Sequence, residues 1–129
     1  MRVALGQVGH FGLAVRDPDA SAAWWKKHFD LDEIFRYEGG VGLSNKAVTI
    51  VFHQGDPRPE MLDHMSFHVG DMESLRDSLE YLREAGVELE DSGDEIGPEA
   101  EGSSNMGLWF HDPDGYRWEH SVQHAKVNT

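Results

Sequence analysis

His10 and His64 stand 54 residues apart, each at the head of a similar stretch. His10-Phe-Gly-Leu-Ala-Val-Arg-Asp17 can be laid over His64-Met-Ser-Phe-His-Val-Gly-Asp71, with histidine, valine and aspartate coinciding. Glu119 follows His64 by 55 residues and lies between Trp118 and His120, in a segment that otherwise reads as buried. A buried carboxylate is costly unless it meets a cation, a proton or hydrogen-bond donors. Two neutral imidazoles and one carboxylate make a ligand set for a divalent ion and leave positions open for water, substrate or oxygen. Each residue alone has a plainer reading, since a strand histidine is commonly a hydrogen-bonded structural group. The repeat offset and the carboxylate together favour metal ligation. The chain has no cysteine and eight histidines, so thiolate chemistry, disulfides and iron–sulfur clusters are excluded.

Elements to position these residues can be read from the pattern. In each copy a strand runs into an aspartate suited to cap a helix, Asp17 before Pro18 and Asp71 before Met72. The first helix runs to about Phe29 and offers Ala22, Trp25 and Phe29 for burial. The second carries Met72, Leu75, Leu79 and Leu82 on one face and ends at Gly86. Short strands follow each helix, and Gln54–Glu60 reads as a linker. Asp112-Pro-Asp-Gly115 is a tight-turn signal between the last two strands. The expected fold class is α+β: two tandem βαβββ modules, about residues 8–60 and 62–122, in one domain spanning 1–129.

Strand alternation sorts side chains by face. His10, Gly12 and Ala14 share one face, and His64, Ser66 and His68 share another, opposite the bulky apolar residues that should pack under the helices. The histidine faces suit a cavity wall. His68 can serve as an acid–base group or as a hydrogen-bonding wall residue. Parity on the strand 47–52 puts Ile50 and Phe52 on the cavity side, with Val48, and Trp109 and Ser66 join that lining. Such a wall suits an apolar or aromatic substrate. Gly93, Gly97 and Gly102 make the acidic loop after the second helix a candidate lid.

The chain resembles the vicinal oxygen chelate superfamily, which includes glyoxalases, extradiol dioxygenases, fosfomycin-resistance enzymes and bleomycin-binding proteins. The resemblance rests on His10-Phe-Gly-Leu-Ala-Val-Arg-Asp, Asp63-His64-Met-Ser-Phe-His-Val and Phe110-His-Asp-Pro-Asp-Gly-Tyr-Arg-Trp-Glu119. It implies curved mixed sheets wrapped around a cavity, with His10, His64 and Glu119 as the metal ligands. Fe(II) or Mn(II) would suit them, with Zn, Ni or Co as alternatives. By this resemblance the fourth ligand of glyoxalase I and of methylmalonyl-CoA epimerase falls on Ile50, which cannot bind a metal, and His53 falls on the opposite face by parity. The resemblance thus implies a dioxygenase- or lyase-like metalloenzyme acting on a small molecule with neighbouring oxygens. A metal-free binding protein is the alternative.

Composition narrows the partners. The formal charge is −13, and residues 71–101 hold −10 of it. Nucleic acid and anionic membrane surfaces are therefore disfavoured, as is a phosphonate near the acidic loop. No signal or membrane-spanning segment is visible, which suggests a cytoplasmic protein. The resemblance also implies a homodimer, with Trp24 or Trp25 in the core or at its interface.

Overall fold

Asp17 and Asp71 cap the two helices as the sequence suggests. The Asp17 carboxylate accepts from the backbone N–H groups of Asp19 and Ala20, and Pro18 occupies the first turn. The Asp71 carboxylate accepts from the N–H of Ser74 at 2.8 Å. The structure, a computed structural model, describes residues 1–90 and 96–123. It divides into two units, Met1–Pro57 and Arg58–Thr129.

Unit one contains β1 (Phe11–Val15), α1 (Pro18–His28), β2 (Asp32–Tyr37), β3 (Gly40–Ser44) and β4 (Thr49–Gln54). Its sheet order is β1-β4-β3-β2, with β1 parallel to β4 and the other pairs antiparallel. Unit two contains β5 (Met65–His68), α2 (Met72–Glu84), β6 (Glu88–Leu89), β7 (Gly97–Pro98), β8 (Met106–His111) and β9 (Arg117–Val122). Its order is β5-β9-β8-β6, with β7 also on β8. First and last strands are parallel neighbours in both units, which is the topology expected of a duplicated module.

The register makes the duplication specific. Gly12 pairs with Val51, and Ser66, its counterpart 54 residues on, pairs with Glu119. Val51 also pairs with Gly42, and Glu119 with Trp109. Val51 therefore holds in unit one the place that Glu119 holds in unit two. The equivalent position is not Ile50, although valine is equally unable to bind a metal.

Each sheet buries one face under its helix. In unit one that face carries Leu13, Val15, Val41, Leu43, Ile50 and Phe52, packed with Ala22 and Trp25. The Trp25 and Phe52 ring centroids are 6.3 Å apart. This corrects the expected lining: Ile50 and Phe52 are fully buried on the α1 side, not on a cavity wall. The error has a physical source. Ile50-Val51-Phe52 is apolar on both faces, so alternation pairs residues by side without saying which side the helix covers. Trp25 is likewise a core residue, while Trp24 is half-buried against it. In unit two the core face carries Leu108, Phe110 and Trp118 under Leu75 and Leu82, and Phe67 stacks on Trp118 at 5.5 Å.

Boundaries shift by a few residues. The first strand begins at Phe11 rather than near Val8, because residues 1–10 are exposed and join no ladder. Gly97–Pro98 pairs as β7 within the expected loop; Asp91–Glu95, including Gly93 of the expected lid, lie outside the described residues. The Asp112–Gly115 turn is present, with Gly115 at φ 91, a conformation that glycine adopts without a Cβ penalty. The buried Asp112 carboxylate accepts from the N–H groups of Asp114 and Tyr116 and from Trp118 Nε1 at 3.1 Å. It ties the turn to the indole beside Glu119.

Phe52→Ala should cost about 3–5 kcal/mol in urea unfolding. A loss below about 1 kcal/mol would return Phe52 to an open wall.

Candidate functional site

The face of the unit-two sheet turned away from α2 carries Ser66, His68, Gly107, Trp109, Arg117, Glu119 and Ser121. His64 immediately precedes β5, next to this face. Glu119 is 2% exposed, and its Oε2 has no hydrogen-bond partner among the described residues. The carboxylate lies across the Gly107 backbone: a Cβ at Gly107 would stand 2.7 Å from Glu119 Oε2. Only glycine leaves room for it there. Burial pushes the Glu119 carboxyl above its usual range, and the neighbouring Glu99 pushes the same way; Ser66 and His64 act in the opposite sense. Burial also acts to raise Glu99, but bonds led by Gln123 and Asn105 leave it below its ordinary value. Two carboxyl groups side by side call for a proton or a cation between them.

His64 is held from two sides. Its Nδ1 meets Asp63 Oδ1 at 2.6 Å, and its ring stands edge-on to Trp109 at 4.8 Å. With Nδ1–H donated to Asp63, Nε2 carries the lone pair that a metal would take, the usual arrangement for a ligating histidine. Trp109 is capped by the Arg117 guanidinium, 4.0 Å from the ring centroid. Arg117 in turn donates through Nε and one terminal nitrogen to the two oxygens of Glu90, the second at 3.0 Å, and reaches Asp63 at 3.5 Å. His111 Nε2 meets Glu90 Oε1 at 2.9 Å. The Arg117 charge is thus committed to two carboxylates.

The structure brings His64, Ser66, His68, Trp109 and Glu119 to one face or its edge. Ser66 is bonded to Ser121, Oγ to Oγ at 2.8 Å. His10 lies in unit one, in the exposed segment just before β1. Among the described residues, no three histidine, aspartate or glutamate side chains form a cage for a metal. Unit two alone supplies the pair His64 and Glu119. Glu99, Glu90 and Asp63 were not singled out from the sequence. Glu99 and Glu90 sat unremarked in the acidic run, and only the adjacency of Asp63 to His64 could have marked it.

The family follows from the sequence as a whole. Residues 7–120 match the model of the Glyoxalase/Bleomycin resistance protein/Dioxygenase superfamily, and the chain belongs to that superfamily. No curated protein matches it in sequence. Among solved structures it is similar to the genomically encoded fosfomycin resistance protein FosX from Listeria monocytogenes, at TM-score 0.76 and 20% identity, covering 92% of this chain and 94% of that one. It is also similar to a glyoxalase/bleomycin resistance protein/dioxygenase from Alicyclobacillus acidocaldarius, at TM-score 0.72 and 16% identity, covering 92% of each chain. An integron cassette protein from the mobile metagenome of V. cholerae matches at TM-score 0.71 and 20% identity, over 95% and 98%. These likenesses establish the fold. Among the described residues no helix is long and apolar enough to cross a membrane.

Arg117 holds the Glu90 carboxyl below its usual range, with His111 helping against burial. A depressed folded-state value stabilises above the ordinary carboxylate range and is lost as pH falls through the lowered value. The wild type should therefore exceed Glu90→Gln in stability at neutral pH, with the gap closing below about pH 4. Denaturation at a series of pH values checks this; a gap independent of pH would refute it.

Proposed function

We propose that this protein is a divalent-metal-dependent enzyme acting on a small, vicinally oxygenated and uncharged molecule, apolar or aromatic in its remainder. The reaction class is dioxygenase- or lyase-like. The observation that carries this reading is the buried Glu119 carboxylate, whose Oε2 has no donor among the described residues and which stands near His64. Such an oxygen fits a cation as its missing partner. His10, His64 and Glu119 are the proposed ligands, with Fe(II) or Mn(II) as the ion; one FosX structure is a complex with Mn(II) and sulfate. When bound, the ion would act as a Lewis acid on adjacent substrate oxygens.

The chain's own groups do the rest. Asp63 fixes the His64 ring, and Trp109, braced by Arg117, limits its swing. Ser66, its hydroxyl engaged with Ser121, forms part of the proposed substrate wall beside Glu119, and His68, exposed on the same face, is the proposed proton carrier. Because Arg117 is committed to Glu90 and Asp63, it offers little charge to an anionic group. This keeps phosphonates as poor candidates despite the FosX fold. The two modules together are proposed as one functional domain, working as a homodimer.

A metal-free binding protein remains the second reading, favoured by the lack of a three-ligand cage among the described residues. Calorimetric titration of chelator-treated protein with Mn(II) separates the two. A stoichiometric site is expected, weakened about 10–100-fold or more by His64→Ala, Glu119→Ala and Gly107→Ala. The glycine variant acts by driving the carboxylate out of place. Absence of a site in the wild type would leave the binding protein.

A further inference from the structure

The open face of unit one carries a second constructed group. Phe35 and Tyr37 on β2 lean flat over β3, where they pair with Gly42 and Gly40. A Cβ at either glycine would fall within the facing ring, Phe35 over Gly42 and Tyr37 over Gly40. The two rings stack at 6.2 Å and 20°. The His53 ring continues the row, 5.9 Å and 21° from Tyr37. Tyr37 Oη and His53 Nδ1 are hydrogen-bonded at 3.0 Å. The inner side of the row rests on glycine backbone, while the outer side is open: Phe35 is 41% and Tyr37 42% exposed.

The hydrogen bond has a consequence that does not depend on tautomer. If Tyr37 donates to Nδ1, the neutral imidazole keeps its proton on Nε2 and offers that N–H outward. If Nδ1–H donates to Tyr37, the phenol O–H is free to donate elsewhere. Either way one donor is left at the end of an aromatic shelf. A ring laid on Phe35 and Tyr37 would gain offset stacking, and an oxygen on its edge would accept from the donor. Residues 1–57 carry seven acidic and six basic side chains, so this unit has little net field to select an ion, and an uncharged molecule fits.

We propose that Phe35, Tyr37 and His53 form a binding shelf for a neutral planar aromatic molecule bearing a hydroxyl or carbonyl oxygen. The shelf relies on the proposed function only in taking the ligand to be a small molecule, and it needs no metal. Ile50 and Phe52 lie on the other side of the same sheet, so this shelf replaces them as the proposed apolar lining of unit one.

The test uses the full chain treated with chelator, titrated with a naphthol and with methylnaphthalene and followed by ligand fluorescence. Phe35→Ala should weaken both ligands at least about threefold. Tyr37→Phe combined with His53→Leu should weaken the naphthol about fivefold and leave methylnaphthalene unchanged. A merely structural role would move both ligands together in the double variant, and that result overturns the proposal. No naphthol binding by the wild type, or binding indifferent to all these substitutions, overturns it as well. Binding of a vicinal cyclohexanediol to the Mn(II)-loaded protein is measured in parallel. Its failure with naphthol binding intact counts against the metal reading alone, and the converse counts against the shelf alone.

Discussion

The second unit is organised around a carboxylate placed where a carboxylate is expensive. Glu119 is almost fully buried on a central strand, lies over a glycine, and leaves one oxygen without a donor among the described residues. In an apolar setting such a group favours its proton or a cation. The surroundings follow from that constraint. Gly107 provides the space, Asp112 pins the preceding turn and the neighbouring Trp118, and the Trp109–Arg117–Glu90 stack braces the ring beside His64.

Duplication explains how two modules with one backbone plan diverge in chemistry. Gly40 and Gly107 occupy corresponding places opposite β4 and β9, as their partners His53 and Ser121 do. In unit two the space above the glycine is taken by Glu119, in unit one by the Tyr37 ring. Val51 replaces the carboxylate in unit one, so that sheet has no charge to neutralise. It has instead an aromatic row ending in a tyrosine–histidine pair. A small residue on the penultimate strand thus serves two ends: room for an acid in one copy, room for a ring in the other.

Much of this was legible in the sequence because local signals agreed. Asp17-Pro18 and Asp71 cap helices by side-chain chemistry that needs no tertiary context, and the Asp112–Gly115 turn is similarly local. Faces were legible on β1 and β5, where small or polar residues alternate with bulky ones. They were not legible on β4, where Ile50, Val51 and Phe52 carry no polarity contrast, and the assignment of Ile50 and Phe52 to a cavity failed there. The braces were hidden for another reason. Glu90 and Arg117 are 27 residues apart and meet only through the β6, β8 and β9 ladder. Tyr37 and His53 meet only across β3. A shared offset places His10 and His64 in equivalent modules without bringing them to one point, so spacing alone defines no ligand set.

Thermal unfolding of wild type and Glu119→Gln, each with and without Mn(II), tests whether the buried carboxylate is there to hold a cation. A ligand that binds only the folded state raises the melting temperature with its concentration. The neutral isostere removes a buried carboxylate that desolvation and the neighbouring Glu99 both disfavour. The metal-free variant is expected to be at least as stable as metal-free wild type, and Mn(II) to raise the melting temperature of the wild type alone. A variant that is less stable without metal, or that responds to Mn(II) as the wild type does, would contradict that role.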